Sequence, residues 1–184
     1  MADINKSMGL LKLVEHSNRN DKLLHYNDGE DGYTFYGIYE VAHPNWEGWK
    51  IIKRYLLIEP DVKKCSVILS NNIELDLMVQ NFYKKEFWDK SKLDLVDSQK
   101  IADEIFIFGV NVGMPVAIKK AQELVGVVAD GIVGPITIKA LNDFDGDKFD
   151  IEFDEEEKEH YSILAEKPHL KKYKEGWYNR ADTV

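Results

Sequence analysis

Four residues in the first third of the chain have the types and order needed to break an acetal bond. Glu15 closes a run in which Ile4, Met8, Leu11 and Val14 recur at helical spacing. Asp28 and Glu30 follow in a polar stretch, and Thr34 stands six residues after Asp28. Cleaving a glycosidic bond takes two carboxyl groups flanking it. One protonates the departing oxygen; the other stabilises the cationic sugar, attacks it or activates water. The acid of such a pair stays protonated near neutrality in a partly apolar pocket, and Glu15 has Leu11 and Val14 beside it. Asp28 is the candidate second carboxyl and Glu30 its reserve. Asp28-Gly29 is equally a turn dipeptide, so the role of Asp28 is open at this level.

Other chemistries fit less well. His25, His43 and Asp28 are zinc-ligand types, but their spacing is not a ligand pattern and no cysteine pair supports it. Cys65 lies in the apolar run CSVIL without a histidine partner. The segment ADGIVGP lacks the Lys-Ser/Thr and glycine spacing of a phosphate-binding loop. No metal or cofactor is implied.

The elements that must hold these residues are mostly helical. Residues 3–17 read as an amphipathic helix, 18–32 as polar turns, and YTFYGIYEV (33–41) as a strand or short hairpin arm. Pro44 starts a turn, and a helix begins at Trp46 or Glu47. Trp46 and Trp49 share one face of it and read as core. Residues 59–73 read as a loop containing CSVIL. Helices follow at 74–88 and 97–110, with a break at Gly113 and Pro115, then another at 115–126. VVADGIVGP is a loop, and Pro135 opens a helix to Asn142, where its missing N–H costs nothing. DFDGDKFD reads as a turn, and helices follow at 152–166 and 168–180, the second opened by Pro168. The fold class is α+β, predominantly α-helical. The expected division is 1–95 and 96–184, packed as one unit because no Gly-, Ser- or Pro-rich linker separates them.

Composition narrows the partners. The net charge of −9 argues against nucleic acid and against anionic membrane surfaces. A sugar polymer, bound through hydrogen bonds and aromatic faces, is compatible. One cysteine excludes an intramolecular disulfide framework. The N-terminal stretch does not read as a signal peptide and no run is long enough to span a bilayer. The expectation is synthesis in the bacterial cytoplasm without membrane insertion.

The run YNDGEDGYTFYGI resembles the active-site hairpin of phage-type lysozymes, with a helix-terminal Glu, a turn Asp, and a Thr six residues later before Gly-Ile. Over a longer span the chain resembles the glycoside hydrolase 108 family joined to its peptidoglycan-binding domain. The marks are Thr34 with Gly37-Ile38, then AHPNWEGWKII, Asn111 and Gly113, Gln122, Asp130-Gly131 with Gly134-Pro135 and Thr137, and finally Gly176-Trp177 with Asn179-Arg180. The resemblance implies a lysozyme-like lobe with a small β-hairpin plus a helical lobe. It implies a muramidase with Glu15 as acid, and with Asp28 and Thr34 holding the attacking water. Inversion at the anomeric carbon is implied by the same analogy. Tyr36, Asn111 and Asp130 are the substrate-binding candidates. Bacterial peptidoglycan is the partner, at the cell wall or periplasm, reached through a holin or a secretion system. The chain departs from the family where His16-Ser17-Asn18 follow Glu15 in place of Gly-Gly-Tyr, and a peptidoglycan-binding protein that does not cut is the alternative reading.

Overall fold

The computed structural model of the protein describes residues 1–16, 19–27, 29 and 31–184. It is predominantly α-helical with one small antiparallel sheet, as the sequence predicts. The chain divides into two compact units, Leu11–Tyr83 and Met1–Leu10 with Lys84–Val184.

The Leu11–Tyr83 unit takes the C-terminal turns of α1 (Ile4–His16), a short 3₁₀ turn (Asn20–Lys22) and strands β1 (Leu24–Tyr26), β2 (Tyr33–Phe35) and β3 (Ile38–Tyr39). Helices α2 (Gly48–Ile58), α3 (Val62–Leu69) and α4 (Ile73–Tyr83) complete it. The segment 33–41 is a complete hairpin, with β2 and β3 joined through Tyr36 and Gly37. Both joining residues have positive φ, 50° and 77°, as a two-residue hairpin turn requires. The polar stretch before it contains β1, which is too short to show a periodic pattern.

Residues 59–73 are not the expected loop, because α3 occupies most of them. Asp61 caps it, its Oδ1 accepting from the Lys64 N–H at 3.0 Å. Cys65, Ser66 and Leu69 are then buried on one side. Trp49 is buried in the core, whereas Trp46 is half-buried and lines a surface hollow with Pro44, Glu47 and Lys50. The Trp49 Nε1–H donates to the His43 carbonyl at 2.9 Å, and the Trp46 ring lies so close to Gly48 that a Cβ there would meet it at 2.3 Å.

The other unit is built around α5 (Gln99–Val112), which Ser98 caps and which is buried on nearly every side from Ile101 to Gly109. Helices α6 (Met114–Leu124) and α8 (Gly146–Ala165) pack on it, α9 (Lys174–Ala181) packs on α8, and α7 (Pro135–Asp143) lies between α6 and α8 in sequence. Phe108 meets Phe153 and Tyr161 edge-on, each at 5.7 Å. Gly113, at φ 95°, makes the break between α5 and α6. Pro135 sits in the first turn of α7. Helix α8 starts at Gly146, inside the segment read as a turn, because Asp145 caps it and Phe149 and Phe153 bury its first turns. Helix α9 starts at Lys174 and not at Pro168, which lies in a turn.

Candidate active site

The three-stranded sheet separates a core face from a cleft face. In antiparallel pairing, directly opposed residues point to the same side. Leu24, Phe35 and Ile38 form one such row and are each 1% exposed. His25, Thr34 and Tyr39 form the adjacent row, on the opposite face. That second row lines a cleft of about 720 Å³ together with Glu15, Lys22, Asn27 and Gly37. Glu15 enters it from the last turn of α1 and is half-buried. Thr34, at 9% exposure, is nearly enclosed.

The turn that carries Gly37 is locked from behind. Tyr36 holds a left-handed backbone that costs a non-glycine residue energy. Its carbonyl accepts a hydrogen bond from the buried Tyr83 hydroxyl, its N–H donates to the Leu23 carbonyl at 3.0 Å, and its ring is buried beneath the Lys12 ammonium. Glu40 fastens the hairpin from the side. One oxygen accepts from the Tyr33 N–H at 3.1 Å and the other pairs with Lys53 at 2.6 Å. Burial opposes ionisation of Glu40, but these two partners outweigh it and hold the carboxyl below its ordinary range.

Of the residues singled out by sequence, the structure brings Glu15 and Thr34 together in one cleft. Asp28 and Glu30 lie outside the described residues. Tyr36 is buried in the turn and does not line the cleft. Asn111, on α5, is exposed and its Nδ2 donates to the Tyr161 hydroxyl at 2.8 Å. Asp130 lines a smaller hollow of about 210 Å³ with Val128, Ile132 and Ile136. Its carboxylate accepts from the Ile132 N–H at 2.8 Å and from Gln122 at 2.9 Å, and both keep it below its ordinary range. Gln122, itself 1% exposed, also donates to the Ile132 carbonyl and to Thr137 and accepts from the Gly131 N–H.

Sequence reasoning missed Lys22, His25, Asn27 and Tyr39 as cleft residues. No local pattern marks them, because β1 is only three residues long and Lys22 and Tyr39 lie outside it. Among the described residues no group of His, Cys, Asp and Glu has the geometry of a metal site. His43 packs edge-on against Phe82 at 4.8 Å, and Cys65 is fully buried.

A helix-terminal carboxyl facing a sheet across a cleft is the layout that the lysozyme resemblance implies, and comparison with known proteins decides the family. Residues 23–113 match Glycosyl hydrolase 108. Residues 23–113 belong to the glycosyl hydrolase 108 family. Residues 116–182 match the Predicted Peptidoglycan domain. The fold is similar to that of Brucella abortus SagA, at 19% identity and a TM-score of 0.66, covering 98% of this chain and 91% of that one. No curated protein matches the chain at a significant level. The glycosyl hydrolase 108 region contains the whole β1–β3 sheet and Thr34, and Glu15 precedes it in sequence. The protein is therefore a lysozyme-like glycoside hydrolase that acts on peptidoglycan. No described helix is long and apolar enough to cross a membrane.

Proposed function

We propose that this glycosyl hydrolase 108 protein is a muramidase, cutting the β-1,4 bond between N-acetylmuramic acid and N-acetylglucosamine. The observation that carries this reading is the convergence of Glu15 and Thr34 on one cleft, from a helix end and a strand. Glu15 donates a proton to the departing glycosidic oxygen. Thr34, nearly enclosed on the cleft face of β2, holds the attacking water through its hydroxyl. Asp28 is assigned as the carboxylate that stabilises the developing positive charge and activates that water, on the family resemblance. Asp130 and Asn111 are assigned to wall binding on the same ground. In the cell, the enzyme is delivered to the wall by a holin or a secretion system.

The test is digestion of purified sacculi with mass spectrometry of the products, using wild type and Glu15→Gln in parallel. Muropeptides ending in reducing N-acetylmuramic acid from wild type alone are the expected result. Products ending in reducing N-acetylglucosamine would overturn the bond assignment. Sacculi left intact by both proteins, with protein bound, would return the chain to the binding-only reading.

A further inference from the structure

The cleft carries a cation that the proposed reaction leaves without a task. Lys22 ends the Asn20–Lys22 turn and lines the cleft with Glu15 and Thr34. The backbone beneath it is clamped. The fully buried Ser66 hydroxyl donates to the Asn20 carbonyl at 2.5 Å and accepts from the Leu24 N–H at 3.0 Å. The His25 Nδ1–H donates to the carbonyl of Lys22 itself at 3.2 Å, and the next residue, Leu23, is fully buried. Lys22 is thus presented from a fixed point on the cleft wall.

Among the described residues its ammonium also has no direct ion-pair partner. The neighbouring acid, Asp21, is committed to Arg19 through both oxygens, at 3.2 and 2.7 Å. Among the described residues no carboxylate lies within ion-pair distance of Lys22. An exposed lysine on an ordinary surface is merely solvated. Here an acidic chain of net charge −9 places an open ammonium, from an anchored turn, in the cleft that holds the proton donor.

The two sugars that alternate along a peptidoglycan strand differ in one substituent. N-acetylmuramic acid bears a lactyl arm and N-acetylglucosamine does not. In the intact wall the arm continues into a peptide with free carboxylates; in a strand stripped of peptide it ends in its own carboxylate. We propose that Lys22 binds this arm-borne carboxylate and so sets which of the two alternating β-1,4 bonds lies at Glu15. The inference rests on reading the Glu15 cleft as the glycan site.

Binding is measured by calorimetry in a Glu15→Gln background, so that nothing is cut. Three ligands are compared: peptide-bearing glycan fragments, the same fragments freed of peptide, and neutral N-acetylglucosamine oligomers. Adding Lys22→Gln is expected to weaken an anionic ligand roughly three- to tenfold and leave the neutral oligomer unchanged. Loss on the peptide-bearing ligand alone places the recognised carboxylate in the peptide; loss on the stripped ligand places it on the lactyl arm. Lys22→Arg should restore most of the affinity, and the Lys22-dependent part should fade as salt is raised. Equal weakening of all three ligands, or no weakening of any, would overturn the proposal. If wild type leaves sacculi uncut while Lys22-dependent binding persists, the turnover reading falls and this inference stands.

Discussion

The Tyr83 hydroxyl donates a hydrogen bond to the backbone carbonyl of Tyr36, and this contact joins the end of α4 to the turn beside the Glu15 cleft. A Cβ on Gly37 would meet that hydroxyl at 2.7 Å, at a residue whose φ is already 77°. Gly37→Ala is therefore expected to lower stability by about 1–3 kcal/mol and to reduce kcat by displacing the cleft face. Tyr83→Phe should recover room for the alanine, so the double variant, followed by thermal unfolding and turnover, should be less damaged than the sum of the singles. Simple additivity would show that the two positions are not coupled.

Thr34 is nearly enclosed, and its hydroxyl is assigned to the attacking water. Thr34→Val keeps the shape and the β-branched fit to the strand. Turnover should fall by up to about 10²-fold, while the melting temperature and sacculus binding change little. A variant with near-normal kcat would remove Thr34 from the mechanism.

Gln122 holds the 127–135 loop through hydrogen bonds to Asp130, Gly131, Ile132 and Thr137. Val128 and Ile132 of that loop and Ile136 at the start of α7 are well exposed. Gln122→Met leaves the Gly131 N–H and the Ile132 carbonyl without their partner and should cost about 2–4 kcal/mol. Sacculus pull-down of the folded variant should weaken, since the hollow around Asp130 loses its frame. Undiminished binding would remove this hollow from wall recognition.

Glu104 on α5 and Glu157 on α8 are both fully buried. Burial pushes the Glu104 carboxyl up to about 10, helped by Glu157 and Asp154 nearby; burial pushes Glu157 up to about 8, helped by Asp154. The unfolded chain releases these protons near the ordinary carboxyl range while the folded chain keeps them. Stability from these groups is therefore complete below about pH 4.5 and falls as pH rises, towards about 8 for Glu157 and about 10 for Glu104. Glu104→Gln should become progressively more stable than wild type between pH 5 and 9, on the order of 2 kcal/mol by neutral pH. Melting temperatures across that range test it, and a variant that tracks wild type at every pH would refute it.

Much of this protein was legible in the chain. Apolar spacing marked α1, α5 and α6, because a helix with a buried stripe must repeat that stripe. Gly113 and Pro135 marked a break and a helix start, because backbone freedom and a missing N–H are local properties. Glu15 at a helix end and Thr34 before Gly37-Ile38 marked the catalytic candidates. What the chain did not show is where the determining contacts are distant. Strand β1 is three residues long and exists through its pairing with β2 and its hold on Ser66 of α3, not through any pattern of its own. Helix α3 resembled a loop because eight residues carry little periodicity, and burial of Cys65 and Leu69 decides it. The cleft itself belongs to tertiary structure. Cross-strand register puts His25, Thr34 and Tyr39 on one face, and the packed end of α1 adds Glu15, a juxtaposition that sequence separation conceals.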